Sequence, residues 1–354
     1  MNPPFRMRPC LISLIFMMLM TPSLLPAQDY SLKGIVTLYG DNTEFEGDYR
    51  EGETIFGAWL AALGEAKLSE THALTLGLWA NRRHGSDDFM EDTWPYISFA
   101  WETSHSTFIL GNYVPEKRHG YLEPIQVSTL ELTRPVESGL SWTHASSRHH
   151  VHFFIDWQKL CTPDQREVFD SGLVTRFTFA SFLDVSFQWH WWHQGGELTR
   201  VGRVINNNVG ALGLRLHGSL PVVGSSSLQF HYLGSKITID PAYPDRPPEG
   251  SGLLANLEVS PFRNLTFFAT WWKGEDFLSY EGDRNYASWG DNPDVYRQSR
   301  KYAEIGVGLE REITPLVRLK GDFRFNRIDD RDIGLALRFT LTTRLSYPVR
   351  SGGD

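Results

Sequence analysis

Along most of the chain, apolar and polar residues alternate one for one. Leu183, Val185, Phe187, Trp189 and Trp191 fall on one side of a run whose other side holds Asp184, Ser186, Gln188 and His190. Ala303, Ile305, Val307 and Leu309 oppose Tyr302, Glu304 and Glu310, and Leu319, Phe323 and Phe325 oppose Arg318, Lys320, Asp322 and Arg324. Ile333, Leu335, Leu337, Phe339 and Leu341 oppose Arg338, Thr340 and Thr342. Successive side chains of a strand point to opposite faces, so each run predicts a strand with one apolar and one polar face. The pattern places 16 strand cores, at 32–39, 54–67, 72–82, 94–103, 106–113, 138–145, 149–158, 170–179, 182–193, 208–217, 226–235, 251–259, 264–273, 300–312, 316–327 and 332–347. A range of about 14–18 covers the drift of boundaries.

Alternation alone fits two architectures. A soluble sandwich buries its apolar face against a second sheet; a membrane barrel turns that face to lipid and its polar face to a wet interior. The connections separate them. Short ones near 69–71, 104–105, 146–148, 180–181, 260–264 and 314–315 alternate with long ones that include 41–53, 82–93, 114–137, 194–207, 236–250 and 274–299. Short turns at one end and long loops at the other are the plan of a transmembrane up-and-down barrel, and the even strand count agrees. The segment 114–137 reads as a long loop rather than a further strand because of Pro124 and Pro135, and its length suits an inward fold that narrows the interior. Rings at strand ends, among them Tyr39, Trp79, Trp94, Trp101, Tyr113, Trp157, Trp191, Trp271 and Tyr347, suit interfacial girdles.

With these features the chain resembles outer-membrane porin-type barrels, without a motif tying it to one family of them. Phe339, Leu341, Thr343, Leu345 and Tyr347 alternate toward a final aromatic, as in the C-terminal signal read by the barrel-insertion machinery, although Pro348 to Asp354 follow it. The resemblance implies residence in the outer membrane of a Gram-negative bacterium, contact with its lipid, and possible homo-oligomers.

Composition refines this. Arg6 and Arg8, an apolar run from Leu11 to Met20, and Pro26-Ala27 have the order of a secretory signal cut after Ala27, leaving 28–354 as a single barrel domain. The remaining chain carries 32 bases against 42 acids, which argues against nucleic acid as a partner. Its single cysteine, Cys161, excludes an intramolecular disulfide.

The polar faces supply the candidate chemistry. Asp156, Asp184, His190, Arg215, Glu304, Glu310, Arg318, Lys320, Arg324 and Arg338 are expected to line a pore, together with His150 and His152. A mixed-charge wet wall predicts passive or weakly selective diffusion of small polar solutes. The alternatives are a conduit for exporting a polymer such as an exopolysaccharide, or a non-conducting structural or adhesive barrel. The bases on the last strands are expected to be neutralised by Glu304 and Glu310. The acidic loops 86–92 and 275–294 are expected to be solvated. No spacing matches a metal motif, and nothing calls for a cofactor. His144 and Ser146 are spaced as in outer-membrane phospholipases but sit at a turn, so the chain is not expected to be an enzyme.

Overall fold

The computed structural model describes residues 29–350 apart from 48, 197–200, 222, 241–247, 292–293 and 331, so the signal segment lies outside the described residues. The strands are β1 (Asp29–Glu46), β2 (Glu53–Lys67), β3 (His72–Arg83), β4 (Asp92–Glu102), β5 (Ser106–Tyr113), β6 (Glu137–Ala145), β7 (His149–Lys159) and β8 (Glu167–Ala180). They continue with β9 (Leu183–Gly195), β10 (Val204–Leu220), β11 (Gly224–Asp240), β12 (Glu249–Phe262), β13 (Leu265–Glu275), β14 (Ser299–Thr314), β15 (Val317–Ile328) and β16 (Asp332–Arg350). Each pairs antiparallel with its sequence neighbours, and β16 closes on β1 in a register that sets Leu38 opposite Leu341. Closure leaves no edge strand with unpaired backbone groups, which a hydrocarbon environment would penalise.

The sixteen strands match the sequence expectation in number and order. Their ends do not. β1 runs on to Glu46, β10 begins at Val204 and β11 reaches Asp240, inside stretches that read as loops. There the strands rise above the apolar band. Their outer face no longer needs apolar residues, so the alternation stops while pairing such as Thr43 with Glu53 continues.

Leu212, Leu214, Leu216, Phe230 and Tyr232 are exposed on the outer face, whereas Asp184, Gln188, His190 and His231 are buried on the inner one. The interior departs from the expected wet lumen at its long-loop end. Two connections fold into it: 114–136, with a turn at Glu116–Gly120 and a one-turn helix at Leu130–Thr133, and 276–298, with a short turn at Arg284–Tyr286. Ile125, Phe277 and Tyr286 from these loops join inward Val209, Ala211, Leu233, Leu254, Trp272, Tyr302 and Ile328 in one apolar core. Leu132 packs on Tyr39, Ile55, Trp59 and Trp79 of the opposite wall. Burying such side chains is worth about 1.5–3 kcal/mol each before ordering costs.

The expectation of a solvated 275–294 is therefore corrected. Its aromatic residues are anchors, and its Leu278, Ala287 and Trp289 pack with Ile237 of β11. The rim is fixed as well: the Arg300 guanidinium lies 3.3 Å from the centre of the Tyr49 ring, and burial pushes the Tyr49 hydroxyl up to about 12. Gly172 makes room for the plug, since a Cβ there would collide with the Tyr121 hydroxyl, which donates to the Trp189 carbonyl at 2.7 Å.

Candidate functional site

The inward loop carries a strained turn. Lys117, Arg118 and His119 have φ of 44°, 45° and 63°, three consecutive left-handed residues without a glycine among them. Each such conformation costs about 1–2 kcal/mol, so surrounding contacts must hold it. The contacts are ionic. Arg118 Nη1 lies 2.7 Å from Glu137 Oε1 and His119 Nε2 lies 2.9 Å from Glu137 Oε2, with all three side chains buried. His119 also stacks on Phe154, with centroids 3.6 Å apart.

From this anchor a hydrogen-bond chain runs along the inner face of the wall. His119 Nδ1 is 2.7 Å from His152 Nε2, and His152 Nδ1 is 2.8 Å from Thr143 Oγ1. An ionised Glu137 only accepts, so His119 Nε2 carries a proton. With His119 neutral, its Nδ1 then accepts from His152 Nε2–H, and His152 Nδ1 accepts the Thr143 hydroxyl proton. In that tautomeric assignment all donors point one way, from a hydroxyl through two imidazoles to a carboxylate. Thr143 and His152 open onto a cavity of about 520 Å³, lined also by Lys117, His150, Arg176, Asp184, Arg215 and His231. A hydroxyl hydrogen-bonded to an imidazole that a further acceptor orients is the arrangement that activates a nucleophile.

A second network locks the plug. Arg134 of the inward loop makes a bidentate pair with Glu281 of the other loop, at 3.1 and 2.9 Å, and lies 3.6 Å from Asp156 and 3.8 Å from Asp170 of the wall. Burial pulls the Arg134 guanidinium down, but these carboxylates outweigh it and hold its pKa above the ordinary arginine value. Asp170 also binds His190 Nε2 at 3.0 Å.

All ten sequence-predicted residues face inward, but they do not form one site. Asp156 and His190 belong to the buried lock. Asp184 and Arg215 face the relay cavity. Glu310, Arg318, Lys320 and Arg324 line another cavity, of about 740 Å³. The bases there are neutralised, as expected for two of them: Arg318 pairs with Glu310, and Arg324 pairs with Asp322 and lies 3.9 Å from Glu304. Lys320 instead reaches Glu131 of the plug at 3.6 Å, and Arg338 reaches Asp41 at 2.6 Å. The residues that sequence reasoning missed are Thr143, His119 and Asp170.

The spaced pair His144 and Ser146 is not formed. Ser146 accepts the His149 amide at the turn, while His144 Nδ1 lies 2.9 Å from Ser106 Oγ. Among the described residues, no cluster of three or more His, Cys, Asp or Glu side chains is arranged to hold a metal ion.

Comparison with known proteins gives two findings. The model of the lipid A 3'-O-deacylase-type family matches residues 27–350. The fold is similar to OmpTdeltaL8, a loop-deletion mutant of an outer-membrane protein of Vibrio cholerae, at TM-score 0.54 and 9% identity over 90% of this chain and 100% of that one. It is equally similar to an anion-selective porin from Comamonas acidovorans, at TM-score 0.54 and 10% identity over 89% and 99%. No curated protein matches the chain. The porin-type, outer-membrane fold thus agrees with expectation, and the family match overturns the expectation that the chain is not an enzyme: the strand pattern reports architecture, and chemistry depends on sites set into it.

Proposed function

The chain belongs to the lipid A 3'-O-deacylase-type family, and on that premise we propose that it is an outer-membrane hydrolase of acyl esters whose nucleophile is Thr143. The observation that carries this reading is the contiguous hydrogen-bonded chain Thr143–His152–His119–Glu137 opening onto a cavity. In the first step Thr143 Oγ bonds to the ester carbonyl carbon while its proton passes to His152 Nδ1. His152 hands its Nε2 proton to His119, whose own Nε2 proton is held by Glu137. The leaving alkoxide takes a proton back as the C–O bond breaks, and water then releases the acid from Thr143 by the same path. Arg118, 2.7 Å from Glu137, pairs with it as the carboxylate.

Purified wild-type barrel should release fatty acid from lipid A-bearing membranes and from short acyl esters, measured by mass spectrometry of both products. Thr143→Val should lower the rate about 100-fold or more, and Thr143→Ser should retain most of it. Full activity in a folded Thr143→Val variant would remove Thr143 from the mechanism.

A second reading, passive passage of small polar solutes, is favoured by the charged cavities at the short-turn end. It requires the plug to move, and single-channel conductance in planar bilayers is its measure.

A further inference from the structure

Most lumen bases on the last strands are paired with carboxylates, although Arg344 of β16, which lines a cavity with Arg318 and Lys320, has no ion-pair partner among the described residues. On β14–β16 each of Arg318, Lys320, Arg324 and Arg338 has a carboxylate partner. In the relay cavity, Lys117, Arg176 and Arg215 have no hydrogen-bond or ion-pair partner among the described residues. Arg215 Nε is buried without one. Asp184, the one carboxylate among the described residues that line that cavity, has other partners: Thr178 Oγ1 donates to it at 2.8 Å and His217 Nε2 lies 3.3 Å away. Three basic side chains thus face a water-accessible space of about 520 Å³ with no ion-pair partner among the described residues.

Register brings the arginines together. Arg176 on β8 pairs with Ser186 on β9, and Arg215 on β10 pairs with Asp184, two residues along β9. Two strand spacings and a two-residue offset, about 12 Å between backbones, separate them, within joint reach of two arginine side chains. Lys117 approaches from the plug. Guanidinium groups match phosphate oxygens with paired N–H donors, and an ammonium adds a point charge. Unpaired cations facing one another in a confined space repel, which an entering dianion relieves.

We propose that this cavity binds a phosphate group through Arg176, Arg215 and Lys117. The inference rests on the hydrolase reading only in placing that phosphate beside an ester at Thr143.

The test is calorimetric titration of the detergent-solubilised full barrel with inorganic phosphate and, separately, with a short-chain phosphatidic acid. Wild type should bind at least one of them, and Arg176→Gln/Arg215→Gln should bind at least tenfold more weakly. Arg318→Gln, whose partner is Glu310, is the control and should bind as wild type does. Binding of the lipid alone assigns the site to a headgroup, and binding of both or of the free ion alone assigns it to phosphate as such. Absence of binding by wild type, or equal weakening by the control, overturns the proposal. Heat-modifiable migration certifies folding of each variant. Hydrolysis is not read in this experiment, so a failure of Thr143 as nucleophile leaves the binding result intact.

Discussion

The two ends of the lumen are built from the same alternating strands and do opposite things with their inward residues. At the long-loop end the wall offers Val209, Leu233, Trp272 and Tyr302, and two loops seal against them. At the short-turn end the wall offers Arg176, Arg215, Glu310, Arg318 and Lys320, and water-sized space remains between them. The porin-type scaffold therefore does not dictate an open interior. Inward apolar positions at one level of a barrel convert that level into a core, and the same chain keeps a wet vestibule below it. The relay sits at the boundary, with Glu137 and His119 on the dry side and Thr143 on the wet one.

The largest expected effect comes from removing that boundary. Deleting 116–134 takes out Ile125, Leu132, Arg134 and His119 together, and leaves the barrel strands intact. The variant should fold, as shown by heat-modifiable migration. It should give steady single-channel steps several-fold larger than wild type and lose ester hydrolysis. Unchanged conductance in a folded variant would mean that 276–298 seals the barrel alone.

How legible this was in the sequence follows from what each level depends on. Strands were readable because a lipid-facing side tolerates only apolar residues, so the pattern of Leu183 to Trp191 is forced by solvent. The plug was half-readable: Pro124 and Pro135 marked 114–137 as a loop, but its docking depends on Val209 and Leu233, distant in sequence and placed by closure of the barrel. The relay was not readable. His119 and Thr143 carry no motif, and they are linked through His152 only because three consecutive residues adopt a conformation that no local rule predicts. The acidic loop 275–294 misled for a related reason. Its charges dominate composition, whereas Phe277, Tyr286 and Trp289 decide where it goes.

A smaller effect should follow from cutting the lock while keeping the plug. Arg134→Gln leaves Asp156, Asp170 and Glu281 facing one another without their shared cation. Breaking a fully buried ion pair by removing one partner costs about 3–5 kcal/mol, and the cost here should be smaller because Arg134 is 26% exposed. The apolar anchors oppose release, so the plug should open intermittently rather than leave. Conductance should flicker between wild-type and deletion levels, and trypsin should cut within 114–136 at a raised rate. Hydrolysis should fall in proportion to the open fraction, because His119 departs with the loop. A variant indistinguishable from wild type in all three would show that packing alone holds the two ends apart.

The smallest effect concerns pH and the upper loop. Burial holds the Asp283 carboxyl above its usual range, with Arg50, 3.7 Å away, pulling in the other direction. A carboxyl whose pKa is raised on docking takes up a proton more readily when the loop is docked. Ionisation therefore weakens docking above the docked-state pKa, and this cost disappears as pH falls through that value. Asp283→Asn keeps an oxygen to accept the Asn285 amide, a bond of 2.9 Å in the wild type. It removes the ionisation cost together with the contact to Arg50. The variant should resist proteolysis of 276–298 better than wild type near pH 8 and match it at acidic pH. Greater susceptibility of the variant near pH 8 would mean that the Arg50 contact outweighs desolvation, making the ionised Asp283 a fastener of the dry end rather than its weak point.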